Sequence, residues 1–274
     1  MGLTPGVAAV HATSKIPAQM FRLHVPPQLL GPRVPFNPSL AVHRDRLRVI
    51  VRLARLGGYD TINCLGWIGQ QWDLCNPRIV HRYIEDCRLF VWRDQLHATG
   101  TAVIGAIGAG RAQMAMVTFD DADAIVRSEM LPAGGPCEKN WMPVVRGEAL
   151  AWVYSTRPLI VLPYEACHPH REGVSFDLRG GSQLVPYKDG FLAVVHEQHR
   201  AAGIGYIHRL VWFSADLKTV KVGRRFVLRA YGIEFVAGLA RWRDHWVMSF
   251  GAGDSDAWLA VVNDATVAQY LEEV

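Results

Sequence analysis

The chain has 274 residues, 29 basic and 25 acidic side chains for a formal charge of +4, an apolar half, and 9 tryptophans beside 25 glycines. A charged fraction of 20% with that aromatic content excludes a disordered chain, and the length suffices for one large domain or two small ones. No apolar run approaches the ~20 residues of a membrane-spanning helix, and the basic residues stand singly, which offers nucleic acid no clustered surface.

Five scattered cysteines without a CxxC pair indicate neither a disulfide framework nor a zinc cage; the expectation is a reduced, cytoplasmic compartment with no metal and no other cofactor. Residues 1–36 read as an irregular arm, because Pro5, Pro17, Pro26, Pro27, Pro32 and Pro35 prevent regular helix. From Asn37 onward, short β-type runs alternate with turn dipeptides. Leu40–Val42 and Leu47–Val51 flank Arg44-Asp45, and Leu89–Trp92 and Gln95–Ala102 flank Arg93-Asp94. Met142–Val145 and Ala149–Tyr154 follow the same grammar around Gly147, which supplies the positive φ a tight turn needs. Gln183–Tyr187 with Phe191–Val195 and Leu239–Trp242 with His245–Phe250 make the fourth and fifth hairpins. Helix is expected only in Asp121–Val126 and in the tail 264–274, with Asp264 as N-cap.

A compact polar cluster precedes each hairpin: Asn37–Ser39, Glu85–Arg88, Glu138–Trp141, Gly180–Ser182 and Ile233–Phe235. All-β content repeating about every 40 to 50 residues is a propeller signature. The expected fold is therefore an all-β, five-bladed β-propeller over residues 37–263, with the arm before it and a short C-terminal helix after it. In that fold the innermost strands converge on a central channel, so clusters distant in sequence meet at one mouth. A β-sandwich with coincidental hairpin spacing is the alternative.

Several of these clusters carry chemistry. Glu85-Asp86-Cys87-Arg88 combines two carboxylates and a guanidinium; strand alternation puts Asp86 and Arg88 on one face and Glu85 on the other. Asp86, held beside an arginine and facing a sugar, suits a general acid. In Glu138-Lys139-Asn140-Trp141 the amide can pair with hydroxyls, the indole offers a flat face to a pyranose and the lysine can hold phosphate. Gly180 and Gly181, ahead of Ser182, allow a ligand close to the backbone. His196-Glu197 and His208-Arg209 fall on neighbouring strands, where histidine plus arginine make an anion site. Glu197 and Glu234 are available as a base toward water, and Asp254, in Gly251–Asp256, can bind a hydroxyl. That loop is thin for calcium. Gly105–Gly110 lacks phosphate-loop spacing, and no Gly-x-Ser-x-Gly elbow is present.

In their order and spacing, Phe36–Ser39, Glu85–Arg88, Glu138–Trp141, Gly180–Ser182, His208-Arg209 and Gly251–Asp254 resemble the five-bladed propeller carbohydrate enzymes. The similarity is to the β-mannoside phosphorylases and related mannosyltransferases, and it runs from about Asn37 to Val262. It implies transfer of a mannosyl-like hexosyl group with inversion, by a glycosyltransferase or a glycoside phosphorylase, between an oligosaccharide and phosphate or a nucleotide sugar. Asp86 matches the general acid, which in the phosphorylases acts by way of a sugar hydroxyl. The resemblance also places Asn37, Arg52 and Arg88 around the reacting sugar and Lys139, Asn140, His208 and Arg209 on phosphate, with Asp254 on hydroxyls. Two departures stand out: Cys87 replaces the proline usual in the family's phosphorylases, and Glu138–Trp141 is not their standard phosphate motif. A hydrolase of the same fold and a non-catalytic sugar-binding propeller are the alternatives.

Overall fold

Hairpins closed by two-residue polar turns organise the chain. A computed structural model describes residues 13–55, 60–104, 111–132, 138–166, 177–200 and 204–272; the first twelve residues of the arm, Gly105–Gly110 and Glu273 lie outside them. In chain order come β1 (Ser14–Lys15), β2 (Gln19–Arg22) and the short helix α1 (Pro27–Leu30). Blade one is β3 (Val34–His43), β4 (Arg46–Ala54), β5 (Thr61–Ile68) and β6 (Leu74–Arg82). Blade two is β7 (Ile84–Trp92), β8 (Gln95–Ile104), β9 (Arg111–Phe119) and β10 (Ile125–Met130). Blade three is β11 (Met142–Arg146), β12 (Ala149–Thr156) and β13 (Leu159–Pro163). Blade four holds β14 (Arg179–Gly180), β15 (Val185–Tyr187), β16 (Gly190–His199), β17 (Gly205–Ser214) and β18 (Val220–Val227). Blade five is β19 (Glu234–Trp242), β20 (His245–Ala252) and β21 (Asp256–Val262), and helix α2 (Asp264–Leu271) follows.

All five expected hairpins are present, and their turns use the expected chemistry. Arg44 and Asp45 have φ of 49° and 56°, Arg93 and Asp94 have 52° and 56°, and Gly147 has 58°. Positive φ at both central residues matches the twist of the flanking strands.

Closure of the ring comes from the arm. Strand β2 pairs antiparallel with β21 and becomes the outermost strand of blade five, while β1 runs parallel to β18 at the edge of blade four. Two features of the arm depart from the irregular, helix-free reading: the short helix α1 starts at Pro27, because proline in the first helical turn gives up no hydrogen bond, and β3 already begins at Val34. The ends of the chain thus share sheets, which covers edges that would otherwise stand open.

The core divides into five apolar clusters, one at each blade interface. Leu47, Val49, Val51 and Leu53 of β4 pack on blade five with Val247 and Leu259, whereas Ile50, one step out of phase, packs on blade two with Leu89 and Ala98. This is period-two alternation serving two neighbours at once. Burying side chains of this size stabilises by roughly 1.5–3 kcal/mol each.

Asp121–Val126 is not the expected helix. Asp120 Oδ1 accepts the backbone N–H groups of Ala122 (2.9 Å) and Ala124 (2.8 Å), a local turn that competes with helix. Asp123 then receives Arg48 (2.5 Å) and Arg78 (2.6 Å), and the chain enters β10. At the tail the helix forms, but its cap lies one residue earlier than expected. Asn263 Oδ1 accepts from Thr266 N at 2.8 Å, and Asp264 occupies the first turn.

Candidate active site

The inner strands β3, β7, β11 and β19 all begin at one end of the channel and run to their hairpins at the other. Near their starts the backbone departs from ideal pairing. Asn37, Asp86 and Asn140 have φ of 46°, 50° and 64°, and the ladders shift register between Phe36 and Ser39 and between Glu85 and Arg88. Such bulges re-aim side chains. Here two bulges and the positive φ shared with Asn140 turn residues of three blades into a common cavity of about 400 Å³, which also receives Arg52, Glu85, Lys139, Arg179, His196 and Asp254.

Asp86 stands at the centre of its polar network. Its Oδ1 accepts from Asn37 Nδ2 at 2.7 Å and from Arg52 NH1 at 2.9 Å, while Oδ2 makes no hydrogen bond with the described residues. Burial pushes this carboxyl up, but Arg52, the Asn37 amide and Arg88 outweigh burial and hold it below the usual carboxylate range. Asp86 is therefore ionised near neutral pH. Arg52 also reaches Glu85 at 2.5 Å through NH2 and lies over the Phe36 ring at 4.7 Å. The bulge thus overrides the expected alternation: Glu85 and Asp86 converge on one guanidinium. Glu85 itself is raised, chiefly by burial, with Arg52 opposing and Asp86 reinforcing.

Arg88 lies beneath the pocket, fully buried, and does not line it. It donates to the Gly181 carbonyl (2.8 Å), the Asp86 carbonyl (2.6 Å) and Asn140 Oδ1 (3.0 Å), and it sits 5.2 Å above the Phe235 ring. Its guanidinium joins blades two, three, four and five under the floor. Burial lowers its pKa to about 10, which leaves it cationic at neutral pH. The double glycine serves this arrangement: a Cβ at Gly180 would stand 2.0 Å from the Asn140 carbonyl oxygen of blade three, and one at Gly181 would stand 3.0 Å from the Val236 carbonyl oxygen of blade five. The glycines permit contact between blades, where the sequence suggested approach by a ligand.

Several expected site residues have other work. Trp141 is buried, edge-on to Trp152 (6.2 Å) and Tyr154 (5.6 Å), and its Nε1 donates to the buried Glu138 at 3.3 Å. Both belong to the core between blades two and three, so neither meets a sugar. Ser182 is buried, donating to Gln183 O and accepting from Val194 N. Glu234 folds back on its own loop, where its carboxylate accepts from the backbone of Leu228, Arg229 and Ala230 at 2.9, 2.8 and 3.1 Å. His208 is fully buried 5.7 Å from the Phe226 ring, and burial lowers its pKa to about 4, so it carries no charge for an anion. Arg209 and Glu197 bond to each other at 2.5 Å on the opposite face of blade four, outside this pocket.

The expected Lys139 and Asp254 do line the pocket, and Arg55, Arg179, His196 and Tyr206, which the sequence did not assign to it, add further cations and an aromatic wall. Arg55, Lys139 and Arg179 line the mouth and form no ion pair among the described residues. His196 is buried among Tyr206 (4.9 Å) and Phe235 (5.2 Å) and is held neutral by burial and by neighbouring His208, Arg88, Arg179 and Lys139. Asp254 on the rim is raised by partial desolvation and by Asp86, with Arg52 opposing. The pocket therefore offers one ionised acceptor, two weaker acids, uncommitted cations and aromatic faces, which suits a polyhydroxylated ligand with an anionic group.

No protein-family model matches the chain, and no curated protein does. Solved structures do. A mannose phosphorylase from Leishmania mexicana, in complex with phosphate ion, aligns with a TM-score of 0.69 at 10% identity over 96% of this chain and 93% of its own. The chain has the five-bladed propeller fold. A GDP-Man-dependent mannosyltransferase from the same organism aligns with a TM-score of 0.63 at 13% identity, over 90% of this chain and 89% of its own. A putative glycoside hydrolase from Bacteroides ovatus gives 0.60 at 13% identity over 96% of both chains. Phosphorylase, transferase and hydrolase share this architecture, so the reaction has to be argued from the pocket.

Proposed function

We propose that the protein transfers a hexosyl group, mannosyl-like, with inversion between an oligosaccharide and a phosphate-bearing partner. The observation that carries this reading is the ionised Asp86, fixed through Oδ1 by Asn37 and Arg52, in a pocket whose rim holds Arg55, Lys139 and Arg179, unpaired among the described residues.

In the direction of synthesis an acceptor hydroxyl attacks the anomeric carbon. The new C–O bond forms as the bond to the phosphate oxygen breaks; the electron pair leaves with phosphate, and the proton passes to Asp86. Lys139 and Arg179 receive the developing negative charge, the kind of prearranged electrostatic stabilisation that lowers such barriers. The reverse reaction is phosphorolysis, in which protonated Asp86 returns the proton to the leaving oxygen. Inversion follows from a single displacement by an external nucleophile. Asn37 positions Asp86, Arg52 keeps it charged and Asp254 is placed for sugar hydroxyls.

Hydrolysis is the second reading, favoured by one observation: Asp254 and Glu85 share the pocket with Asp86. It assigns Asp254, in place of Glu197 or Glu234, as the base toward water. A phosphate balance during turnover separates the two: transfer consumes or releases one phosphate-bearing partner per glycosidic bond, and hydrolysis none. No product from any sugar, with or without phosphate, would leave only a sugar-binding propeller. Among the described residues no helix is long and apolar enough to cross a membrane; free thiols at Cys64, Cys75 and Cys87 support the cytoplasmic placement.

A further inference from the structure

Blade four carries a second group of charged side chains that the Asp86 pocket does not use. On β16, Leu192 and Val194 turn toward blade five, while Ala193 and Val195 turn toward blade three. Alternation continues past the apolar stretch, so His196 joins the first face and Glu197 the second. Glu197 accepts from Arg209 Nε at 2.5 Å, from Arg225 Nε at 3.1 Å and pairs with His199 Nε2 at 3.0 Å. These bonds fix the two arginines in place, and Arg209 NH1 is anchored as well, on the Gly223 carbonyl at 2.8 Å.

The fixed arginines line a cavity of about 520 Å³ whose remaining wall includes Arg157, Asp177 and Arg179. Four arginines face two carboxylates there, and one of those carboxylates is already occupied. Arg157 and Arg179 form no ion pair among the described residues. Arg179 also lines the Asp86 pocket, so the two cavities share a wall. Inorganic phosphate fills one cationic station. A cavity of this size, lined by planar guanidinium groups suited to bidentate oxyanion contacts, accommodates a larger anionic body.

We propose that this cavity is a second oxyanion subsite, which holds a phosphate-class group on the distal part of a substrate whose reacting end lies beside Asp86. The proposal rests on the transfer reading above for the identity of the reacting end. Two substrates present the same chemistry: a nucleoside diphosphate hexose as donor, and an oligosaccharide acceptor phosphorylated at its far end.

The test uses the full chain and isothermal titration with three probes: inorganic phosphate, a nucleoside diphosphate hexose and a terminally phosphorylated mannobiose. Arg157 is exposed and has no ion-pair partner among the described residues, so Arg157→Glu leaves the fold intact. It should weaken one of the two extended probes by about tenfold or more, since a charge-assisted contact becomes repulsive. Inorganic phosphate, held at Lys139 and Arg179, should change less than twofold, and Arg157→Lys, which keeps the charge but not the bidentate fork, should restore part of the loss. Loss for the nucleotide sugar assigns the subsite to the donor, and loss for the phosphorylated disaccharide assigns it to the acceptor. The proposal is overturned if neither extended probe binds more tightly than inorganic phosphate, or if both ignore Arg157→Glu. Failure of the transfer reading looks different: Lys139→Ala would then leave inorganic phosphate binding unchanged, whatever Arg157→Glu does.

Discussion

Replacing Asp86 by asparagine separates proton transfer from every other role of the pocket. In Asp86→Asn the amide oxygen can still accept from Asn37 Nδ2 and Arg52 NH1, which lie 2.7 and 2.9 Å from Oδ1 of the native carboxylate. Arg52 keeps Glu85 as a charged partner. The side chains of Arg52 and Asp86 are 11% and 26% exposed, so exchanging a charged for a neutral acceptor should cost about 1 kcal/mol of stability. Turnover should fall much further. Loss of a positioned acid or base costs typically 10²–10⁴ in rate, or about 3–5 kcal/mol in the barrier. Steady-state kinetics with a hexose 1-phosphate donor and a mannoside acceptor, beside a thermal melt of the same sample, reads both effects. In the wild-type protein the rate of synthesis should decline as pH falls through the pKa of Asp86, below the usual carboxylate range; the variant should lack that limb. A variant that turns over within threefold of wild type would refute the assignment.

Two further outcomes follow from the geometry. Lys139→Ala should raise the KM for the phosphate-bearing partner by about tenfold, the worth of one charge-assisted contact, and leave neutral sugar binding unchanged; equal losses for both would count against an anion role. His208 links stability to pH. Its folded pKa of about 4 lies below the ~6.5 of an unfolded histidine, so the unfolded chain binds the extra proton first. This contribution is complete above pH 6.5 and is lost as pH falls toward 4, about 2 kcal/mol of it between pH 7.5 and pH 5. Denaturant titrations of wild type and His208→Leu at both pH values should show that the variant lacks this part of the slope, and identical slopes would disprove it.

The hairpins were legible because turn chemistry and alternation are local. Arg44-Asp45, Arg93-Asp94 and Gly147 sit where positive φ is needed, and each is flanked by an apolar alternation that only a strand satisfies. Local reading failed at Asp121–Val126, where Asp120 captures the amides a helix would use. Within the site, Asn37, Arg52, Asp86, Lys139, Asn140 and Asp254 were found because the repeat brings blade starts together. Glu85 was misplaced because a bulge with positive φ at Asp86 breaks the period of two. His208-Arg209 failed for the opposite reason: the period holds there, sending one residue to each face of the blade, and adjacent residues on a strand do not share a pocket. Trp141 shows what composition alone leaves open, since an indole suits a sugar and a blade interface equally well. Arg55, Arg179, His196 and Tyr206 reach the mouth from several elements, and only the assembled ring reveals that they meet.

The measurement closest to the central claim is a mass and stereochemical balance of one reaction by NMR, following the anomeric protons and phosphorus together. With the purified chain, a hexose 1-phosphate or nucleoside diphosphate hexose and an oligosaccharide acceptor, each new glycosidic bond should appear with one released phosphate-bearing product and with the opposite anomeric configuration. Bond formation with retained configuration, or turnover that yields free hexose with no phosphate-bearing partner, would contradict it.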